Sequence, residues 1–167
     1  TVSWNSAGLI AQTQTRDQKQ ISIHSIDAST GKATIVFTDT DEAWVELVPG
    51  VPALQKDGTL VTCADRDGSR RLLVNGSAVT PTTLQVRSVV SAGDSIVFMA
   101  NDISTPWQLD AWAYNSGAIE QVTQSHGVSS VTGTRSCYVS RVSTLDTERA
   151  QFTVHTATAA HDISSLA

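Results

Sequence analysis

The feature that most constrains this chain is a short unit of strands and tight turns that recurs along it. In the stretch 57–79, runs of alternating character at 59–64 and 70–74 are separated by a polar turn at 65–68 and followed by Asn75-Gly76. Asp-Gly and Asn-Gly between runs rich in Val, Leu and Thr are the strongest short-range signal for antiparallel hairpins. This stretch therefore predicts two successive hairpin turns in an antiparallel sheet.

The same order of predicted strands and turns occurs three more times, and one position fixes the register of the copies. The second predicted strand of each copy ends with an apolar residue followed by His or Asn: Ile23-His24, Val74-Asn75, Tyr114-Asn115 and Val154-His155. The spacing is 51 residues for the first interval and 40 for each of the next two. A repeat near 40 residues built from short strands is typical of a propeller blade. An inserted segment at 41–52 explains the longer first interval.

Each copy has room for about four strands. The other copies pair 9–13 with 20–24, 95–99 with 109–114, and 136–142 with 151–156, and further extended runs cover 44–48, 84–90 and 127–131. No window keeps apolar residues at the helical spacing for three turns. We predict one all-β domain, an antiparallel β-propeller fragment of about three to four blades, with blocks 1–50, 51–91, 92–132 and 133–167. A β-sandwich with Greek-key connections is the alternative, because it does not require the 40-residue register.

Composition and charge exclude several classes of protein. The chain is 40% hydrophobic and 16% charged, which is typical of a globular domain. Its net charge is -5 and only Arg70 and Arg71 are adjacent basic residues, so nucleic acid is not an expected partner. No apolar run approaches the roughly 20 residues that span a bilayer. The start of the chain lacks the features of an export signal, which favours the cytoplasm, although a piece of a longer protein would have lost such a signal.

No catalytic or metal-binding motif is complete. The segment 127–131 comes nearest to the G-x-S-x-G nucleophile turn, but it lacks the final glycine and no predicted helix follows it. The segment 65–69 suggests a calcium loop, yet an EF-hand register would place Cys63 and Val74 at ligand positions. A hairpin turn with Asp side chains bonded to nearby amides explains this segment better.

The histidines and cysteines have simpler interpretations than metal binding or redox chemistry. His155, His161 and Asp162 could offer zinc ligands, but His24 and His155 share a repeat position at which the other copies carry Asn. A polar residue that closes a strand is the better interpretation. Cys63 and Cys137 lie inside predicted strands and are expected to be small buried hydrophobes. The sequence therefore assigns no catalytic, cofactor or metal residue, and it leaves the substrate-binding residues undefined.

The four tryptophans allow two interpretations. Trp4, Trp44, Trp107 and Trp112 could line a groove for carbohydrate or peptide. Large aromatic side chains more often fill the space between β-layers, and this is the interpretation we favour.

Several short motifs, in this order, resemble the C-terminal part of the N-terminal β-propeller domain of the dipeptidyl peptidase IV family, within the prolyl oligopeptidase-type serine peptidases. They are Trp44-Val45-Glu46 with 54–58, the DGSRRLL run at 67–73, the IVFMAN run at 96–101 with the downstream strand at 109–114, His126-Gly127-Val128, and the closing segment from Phe152 to Leu166. The resemblance covers nearly the whole chain, and the order and spacing of the motifs carry it.

The resemblance implies a non-catalytic role for this part of the protein. In that family the propeller covers an α/β-hydrolase domain with a Ser-Asp-His triad and restricts entry to small peptides, while a pair of glutamates holds the amino terminus of the substrate. The 167 residues contain neither that domain nor a matching pair, since Glu42 and Glu46 are separate and lie in another stretch. Leu47-Val48-Pro49 stands where some members place an aromatic residue and an arginine toward the substrate. No substrate-binding residue is carried over.

Two functional hypotheses follow, together with a weaker third one. The first is an excised propeller portion that acts as scaffold and gate, restricting the passage of peptide substrates to a hydrolase domain encoded beyond Ala167. The second is a stand-alone binding module for protein or carbohydrate, which a stop codon after Ala167 would favour. The third is a small enzyme with an unrecognised site. Because an incomplete ring leaves open β-edges, we also expect the chain to self-associate.

Overall fold

The computed structural model describes residues 1–163, and every regular element among them is a β-strand. The first sheet contains β1 (Val2–Asn5), β2 (Gly8–Gln14), β3 (Gln20–Ile26) and β4 (Ala33–Thr40). The second contains β5 (Ala53–Leu54), β6 (Leu60–Arg66), β7 (Ser69–Val74) and β8 (Ser77–Ala78). The third contains β9 (Leu84–Ala92), β10 (Ile96–Asp102), β11 (Asp110–Asn115) and β12 (Ala118–Gln121). The fourth contains β13 (Val128–Thr134), β14 (Cys137–Ser143), β15 (Gln151–Thr156) and β16 (Ala160–Asp162).

Each sheet is an antiparallel meander in which neighbouring strands are consecutive in the chain. Four such sheets follow one another, which confirms the prediction of an all-β propeller fragment over that of a sandwich. The residues that set the predicted register lie at related places. His24 and His155 are within the third strand of their sheets, Asn115 ends a third strand, and Asn75 directly follows one.

Tight two-residue turns join many of the strands, as the Asp-Gly and Asn-Gly pairs indicate. Asp67 and Gly68 have φ of 54° and 80°, and Asn75 and Gly76 have φ of 48° and 80°. Two successive positive φ values define a type I′ turn, whose twist suits the flanking strands. The first turn is shorter than the predicted 65–68, because Arg66 already pairs with Ser69.

The structure corrects one of the predicted strands and places the others. The run 44–48 is not a strand but part of an irregular loop, although it alternates in character. The runs at 84–90 and 127–131, predicted as further extended runs, are strands: the first lies in β9 and the second, from Val128, in β13, and these are the first strands of their sheets. Residues 161–163 of the predicted closing segment overlap β16 or follow it, and residues 164–166 lie outside the described part of the chain.

The core lies between the sheets, which pack face to face in succession. The second and third sheets share the largest cluster of buried apolar side chains, including Leu72, Val86 and Phe98. Met99 and Ala111 of the third sheet meet Val131 and Tyr138 of the fourth. A smaller cluster joins the first and second sheets through Ile10, Ile23 and Leu60. This serial packing is how propeller blades bury both faces of each sheet.

The two ends of the sheets carry different connections. Because successive strands alternate in direction, the hairpins between second and third strands lie at the same end as the connections from one sheet to the next. We call this end the loop face; it comprises residues 15–19, 41–52, 67–68, 79–83, 103–109, 122–127 and 144–150. The opposite end, the turn face, has connections of at most six residues. Long connections are therefore concentrated on the loop face.

Candidate functional site on the loop face

The most elaborate feature of the loop face is the segment 41–52, which joins β4 to β5 and is called here the 41–52 loop. Its apolar side chains divide into two groups. Val45 and Val48 are each 7% exposed, whereas Trp44 is 61% and Leu47 is 48% exposed. The loop thus buries one pair of apolar residues as anchors and presents the other pair to solvent.

Hydrogen bonds tie the start of the loop to the first sheet. The amide of Val45 donates to the carbonyl of Gln18 at 2.7 Å, and the Gln14 side-chain amide donates to the Val45 carbonyl at 2.8 Å. The carboxylate of Asp41 accepts the amides of Ala43 and Trp44 at 2.7 and 3.1 Å. Such Asx bonds fix the backbone on both sides of an exposed side chain, so Trp44 is presented from an ordered backbone.

An ion-pair network ties the middle of the loop to the second sheet. Glu46 accepts from the Arg70 guanidinium at 2.8 Å, and Asp65 lies 3.3 Å from the same guanidinium. Burial alone would lower the pKa of Arg70, but the hydrogen bond with Glu46 and the charge of Asp65 outweigh it, so the pKa is raised. Arg70 therefore stays charged and holds the loop against β6 and β7.

The end of the loop contacts the third sheet through backbone groups. The amide of Val89 in β9 donates to the carbonyl of Pro49 at 2.9 Å. Gly50 has φ of 85°, and a Cβ at this position would overlap the carbonyl of Val89. The 41–52 loop is thereby fixed to three successive sheets.

Further exposed apolar side chains lie on the same end of the molecule. Ile103 and Trp107, in the connection 103–109, are 64% and 69% exposed, and Leu145 in the connection 144–150 is fully exposed. Together with Trp44 and Leu47 they make the loop face rich in exposed apolar groups. Exposed apolar residues that are scattered singly are ordinary, and only a contiguous patch of them marks a contact surface.

The comparisons with known proteins agree with this architecture. The family model described as the dipeptidyl peptidase IV (DPP IV) N-terminal region matches residues 1–149. The chain belongs to this family. No curated protein matches the chain by sequence.

Three solved structures with the same fold are each much longer than this chain. Dipeptidyl peptidase 4 from Porphyromonas gingivalis has a TM-score of 0.77 at 13% identity, with 94% of this chain and 24% of that chain covered. Acylaminoacyl peptidase from Pyrococcus horikoshii has a TM-score of 0.69 at 9% identity, covering 99% and 27%. Oligopeptidase B from Trypanosoma brucei has a TM-score of 0.56 at 11% identity, covering 95% and 27%. The chain spans about a quarter of the length of these structures, which show its fold.

The sequence segments considered for catalysis and calcium have structural partners in this DPP IV N-terminal region. Ser129 is buried in β13 and its hydroxyl lies 2.6 Å from that of Ser125, with no helix after it in the described residues. Asp65 and Asp67 pair with Arg70 and Arg71 at 3.3 Å each, rather than with backbone amides as expected. Neither segment has the geometry of the site it suggested.

The histidine positions also have local partners. The His155 ring stacks on Tyr138 with centroids 4.4 Å apart, and its Nε2 lies 2.9 Å from the Ser140 hydroxyl. The Nε2 of His24 lies 3.1 Å from the Thr13 hydroxyl in the first sheet. Residues 1–163 contain no group of three or more His, Cys, Asp or Glu side chains placed to hold a metal ion.

No helix in that range is long and apolar enough to cross a membrane.

The tryptophans contradict the packing interpretation in three cases of four. Trp4, Trp44 and Trp107 are 73%, 61% and 69% exposed, and only Trp112 packs on the core between the second and third sheets. The reason is position: Trp44 and Trp107 are on connections, and Trp4 lies on the inner edge strand of the first sheet. Trp4 also lies on the face of the first sheet opposite Ile10, which packs toward the second sheet, and no sheet covers that face within the described residues.

A buried polar network was missed by the sequence analysis. Asp110, 5% exposed at the start of β11, accepts hydrogen bonds from the Thr123 hydroxyl at 2.8 Å and from the Ser125 amide and hydroxyl at 3.2 and 3.1 Å. Beside it, Leu109 and Val128 form an isolated parallel bridge between the third and fourth sheets. The network fixes the connection 122–127 at the loop face.

The two cysteines differ, although both were expected to be buried. Cys63 is buried in β6, and burial raises its pKa to about 12, whereas Cys137 at the start of β14 is exposed. Since the thiolate is the reactive form, one thiol should react with a disulfide reagent at pH 8 in the native protein and two after denaturation. Mass spectrometry should find the native label on Cys137. Equal labelling of Cys63 in the native protein would contradict its burial.

Proposed function

We propose that this chain is the non-catalytic propeller portion of a dipeptidyl-peptidase-like serine hydrolase, and that it serves as scaffold and gate for a hydrolase domain elsewhere in a longer protein. The observation that carries the proposal is the match to the DPP IV N-terminal region over residues 1–149. The share of the solved peptidases that the chain covers, about a quarter, supports a partner domain in the same polypeptide.

The loop face is the end that suits the gate. It carries the long connections and the exposed Trp44, Leu47 and Trp107, whereas the turn face carries short polar turns. A gate must hold its shape while substrates pass, and the 41–52 loop is held by three sheets through Gln18, Arg70 and Val89. Glu46 is paired with Arg70, and Asp41 and Glu42 give this loop further negative charge, which favours substrates that carry a free amino terminus.

The test uses both the present chain and the longer protein. The isolated chain should not turn over a dipeptide-anilide, and the longer protein should. In the longer protein, a 42–48 variant in which glycine replaces only the exposed Trp44 and Leu47 keeps the buried anchors Val45 and Val48. This variant should raise kcat/KM for a long peptide severalfold relative to that for the dipeptide-anilide. The matched control replaces two exposed residues within 27–31 on the turn face by glycine in the same way and should leave the ratio unchanged.

Two results would overturn this proposal. Activity of the isolated chain that a point substitution within it abolishes would assign catalysis to the propeller itself. An unchanged ratio in the 42–48 variant would show that the loop does not act as a gate, and only the scaffold role would remain.

A stand-alone binding module for protein or carbohydrate is the second candidate, and the exposure of Trp4, Trp44 and Trp107 favours it. Exposed indoles bind sugars and peptides through their apolar faces. A stop codon directly after Ala167 and a ligand-dependent change in tryptophan fluorescence, lost in Trp44→Ala or Trp107→Ala, would support this function over the first.

We further propose that the chain self-associates. The first and fourth sheets keep apolar side chains exposed, including Trp4, Ile35 and Phe152, and their edge strands lack a partner on one side within residues 1–163. Light scattering at high concentration should give a mass above that of the monomer. A strictly monomeric mass would contradict the proposal.

A further inference from the structure

The outer edge of the first sheet differs from the outer edges of the other sheets. Its strand, β4 (Ala33–Thr40), has eight residues, whereas β8, β12 and β16 have two, four and three within the described residues. The run 33–38 is uncharged, lacks proline and consists mainly of β-branched and aromatic residues. Ile35 and Val36 are 57% and 49% exposed. A long, apolar, exposed edge is a template for another strand.

The free hydrogen-bonding groups of this edge can be assigned from the bonds already made. The carbonyl of Lys32 accepts a hydrogen bond from the amide of Asp27 at 2.9 Å, and the amide of Asp41 donates to the carbonyl of Lys19 at 3.0 Å. The backbone groups of Lys32 and Asp41 therefore point toward the β3 side of β4. Antiparallel strands alternate between residues that bond one neighbour and residues that bond the other. Counting inward from each end of β4, the groups pointing away from the sheet are those of Ala33, Ile35, Thr38 and Thr40.

A bulge separates these groups into two arms. Ile23 pairs with Phe37 and His24 pairs with Ile35, which leaves Val36 as the extra residue. One arm therefore holds Ala33 and Ile35, and the other holds Thr38 and Thr40. The arms are of equal length and lie symmetrically about Val36 and Phe37.

We propose that β4 of a second copy of this chain adds antiparallel to this edge, with Lys32 of each copy opposite Asp41 of the other. In this register Ala33 lies opposite Thr40 and Ile35 opposite Thr38, so the free backbone groups of one copy meet those of its partner. The two-fold axis passes beside the bulge, which interrupts the ladder only at its centre. Lys32 and Asp41 are both exposed and form an opposite-charge pair at each end.

A cleft between the first and second sheets, lined by both polar and apolar groups, reaches β4 at one end. Because β8 is only two residues long, the outer part of the first sheet has little facing cover from the second. The resulting cleft has a volume of about 500 Å³, with Val36 and Phe37 on one wall and Leu54 and Leu60 on the other. A strand added to β4 would lie next to the Val36 and Phe37 end of this cleft and remove part of that apolar surface from water.

The inference rests on the proposed self-association and is independent of the hydrolase partner. The test measures the dimer dissociation constant of the chain by sedimentation, for the native sequence, Val36→Lys and Val2→Lys. Val36→Lys places two like charges beside the axis and should raise the dissociation constant at least about tenfold. Val2→Lys is the matched control, since Val2 is 71% exposed on the opposite edge strand of the same sheet, and it should leave the constant unchanged.

A charge variant keeps the test informative should Val36→Lys disturb folding, which circular dichroism would reveal. Lys32→Glu should also weaken the dimer severalfold, whereas Arg16→Glu, the same charge change at an exposed loop-face site, should not. A native chain that is monomeric overturns self-association together with this interface. A dimer that tolerates both the Val36→Lys and the Lys32→Glu change overturns only the interface, and neither result bears on the peptidase assay.

Discussion

Replacing Asp110 by alanine should lower the free energy of unfolding by about 4 kcal/mol. The carboxylate is 5% exposed and accepts from Thr123 and Ser125, with the Gln121 amide at 3.2 Å on its other oxygen. Its removal leaves buried hydroxyl and amide donors without an acceptor, and each such group keeps its full desolvation cost. Urea unfolding monitored by circular dichroism measures the effect.

Asp94→Ala is the matched control for this prediction. Asp94 is also an aspartate, but its partner is the cation Lys56 at 3.3 Å, and both side chains are about four-fifths exposed or more. Exposed pairs of this kind are worth at most about 1 kcal/mol. Equal losses in the two variants would show that the Asp110 network does not hold the connection 122–127 to the third sheet.

The contrast between the strands and this network shows what the sequence could predict. Hairpins are encoded locally: Asp67-Gly68 and Asn75-Gly76 take positive φ values with little strain, and the flanking Val, Leu and Thr residues suit a pleated sheet. The repeat spacing and the order of the motifs then led to the correct fold class and family. These features depend on residues close together in the chain, so a single sequence carries them.

Features that depend on distant contacts were not predictable. Asp110 looks like an ordinary polar residue at a strand start, and its burial depends on Ser125, which lies in the next connection. Cys137 has the surroundings of a strand residue, but it is exposed on the side of β14 opposite the buried Tyr138 and Ser140, which no sheet covers within residues 1–163. The only sequence signal for this network is the presence of serine and threonine residues in the same part of the chain as an aspartate. Such combinations are frequent, so they do not predict a buried network.

The 41–52 loop is the clearest case in which local pattern misled the interpretation. Val45 and Val48 suggested part of a strand, and both are buried, yet the backbone between them forms no ladder. What gives the loop its shape is contact with Gln18, Arg70 and Val89, each from a separate part of the chain. An alternating pattern indicates which residues are buried, whereas the residues that cover them are known only from the fold.

Gly50→Ala should lower the free energy of unfolding by about 3 kcal/mol, because two separate costs meet at this residue. Its φ of 85° is strained for any residue with a side chain, and the added Cβ would overlap the Val89 carbonyl, which is backbone and has little freedom to move. Displacing that backbone also weakens the hydrogen bond from Val89 to Pro49. Thermal and urea unfolding measure the loss.

Gly76→Ala separates the two costs. Gly76 has φ of 80°, nearly the same conformation, but no atom lies within 4 Å of an added Cβ. This variant should therefore show the conformational cost alone, about 1 kcal/mol. A Gly50→Ala protein no less stable than Gly76→Ala would mean that the loop can move away from β9, and a loop free to move there could not hold the shape that a gate requires.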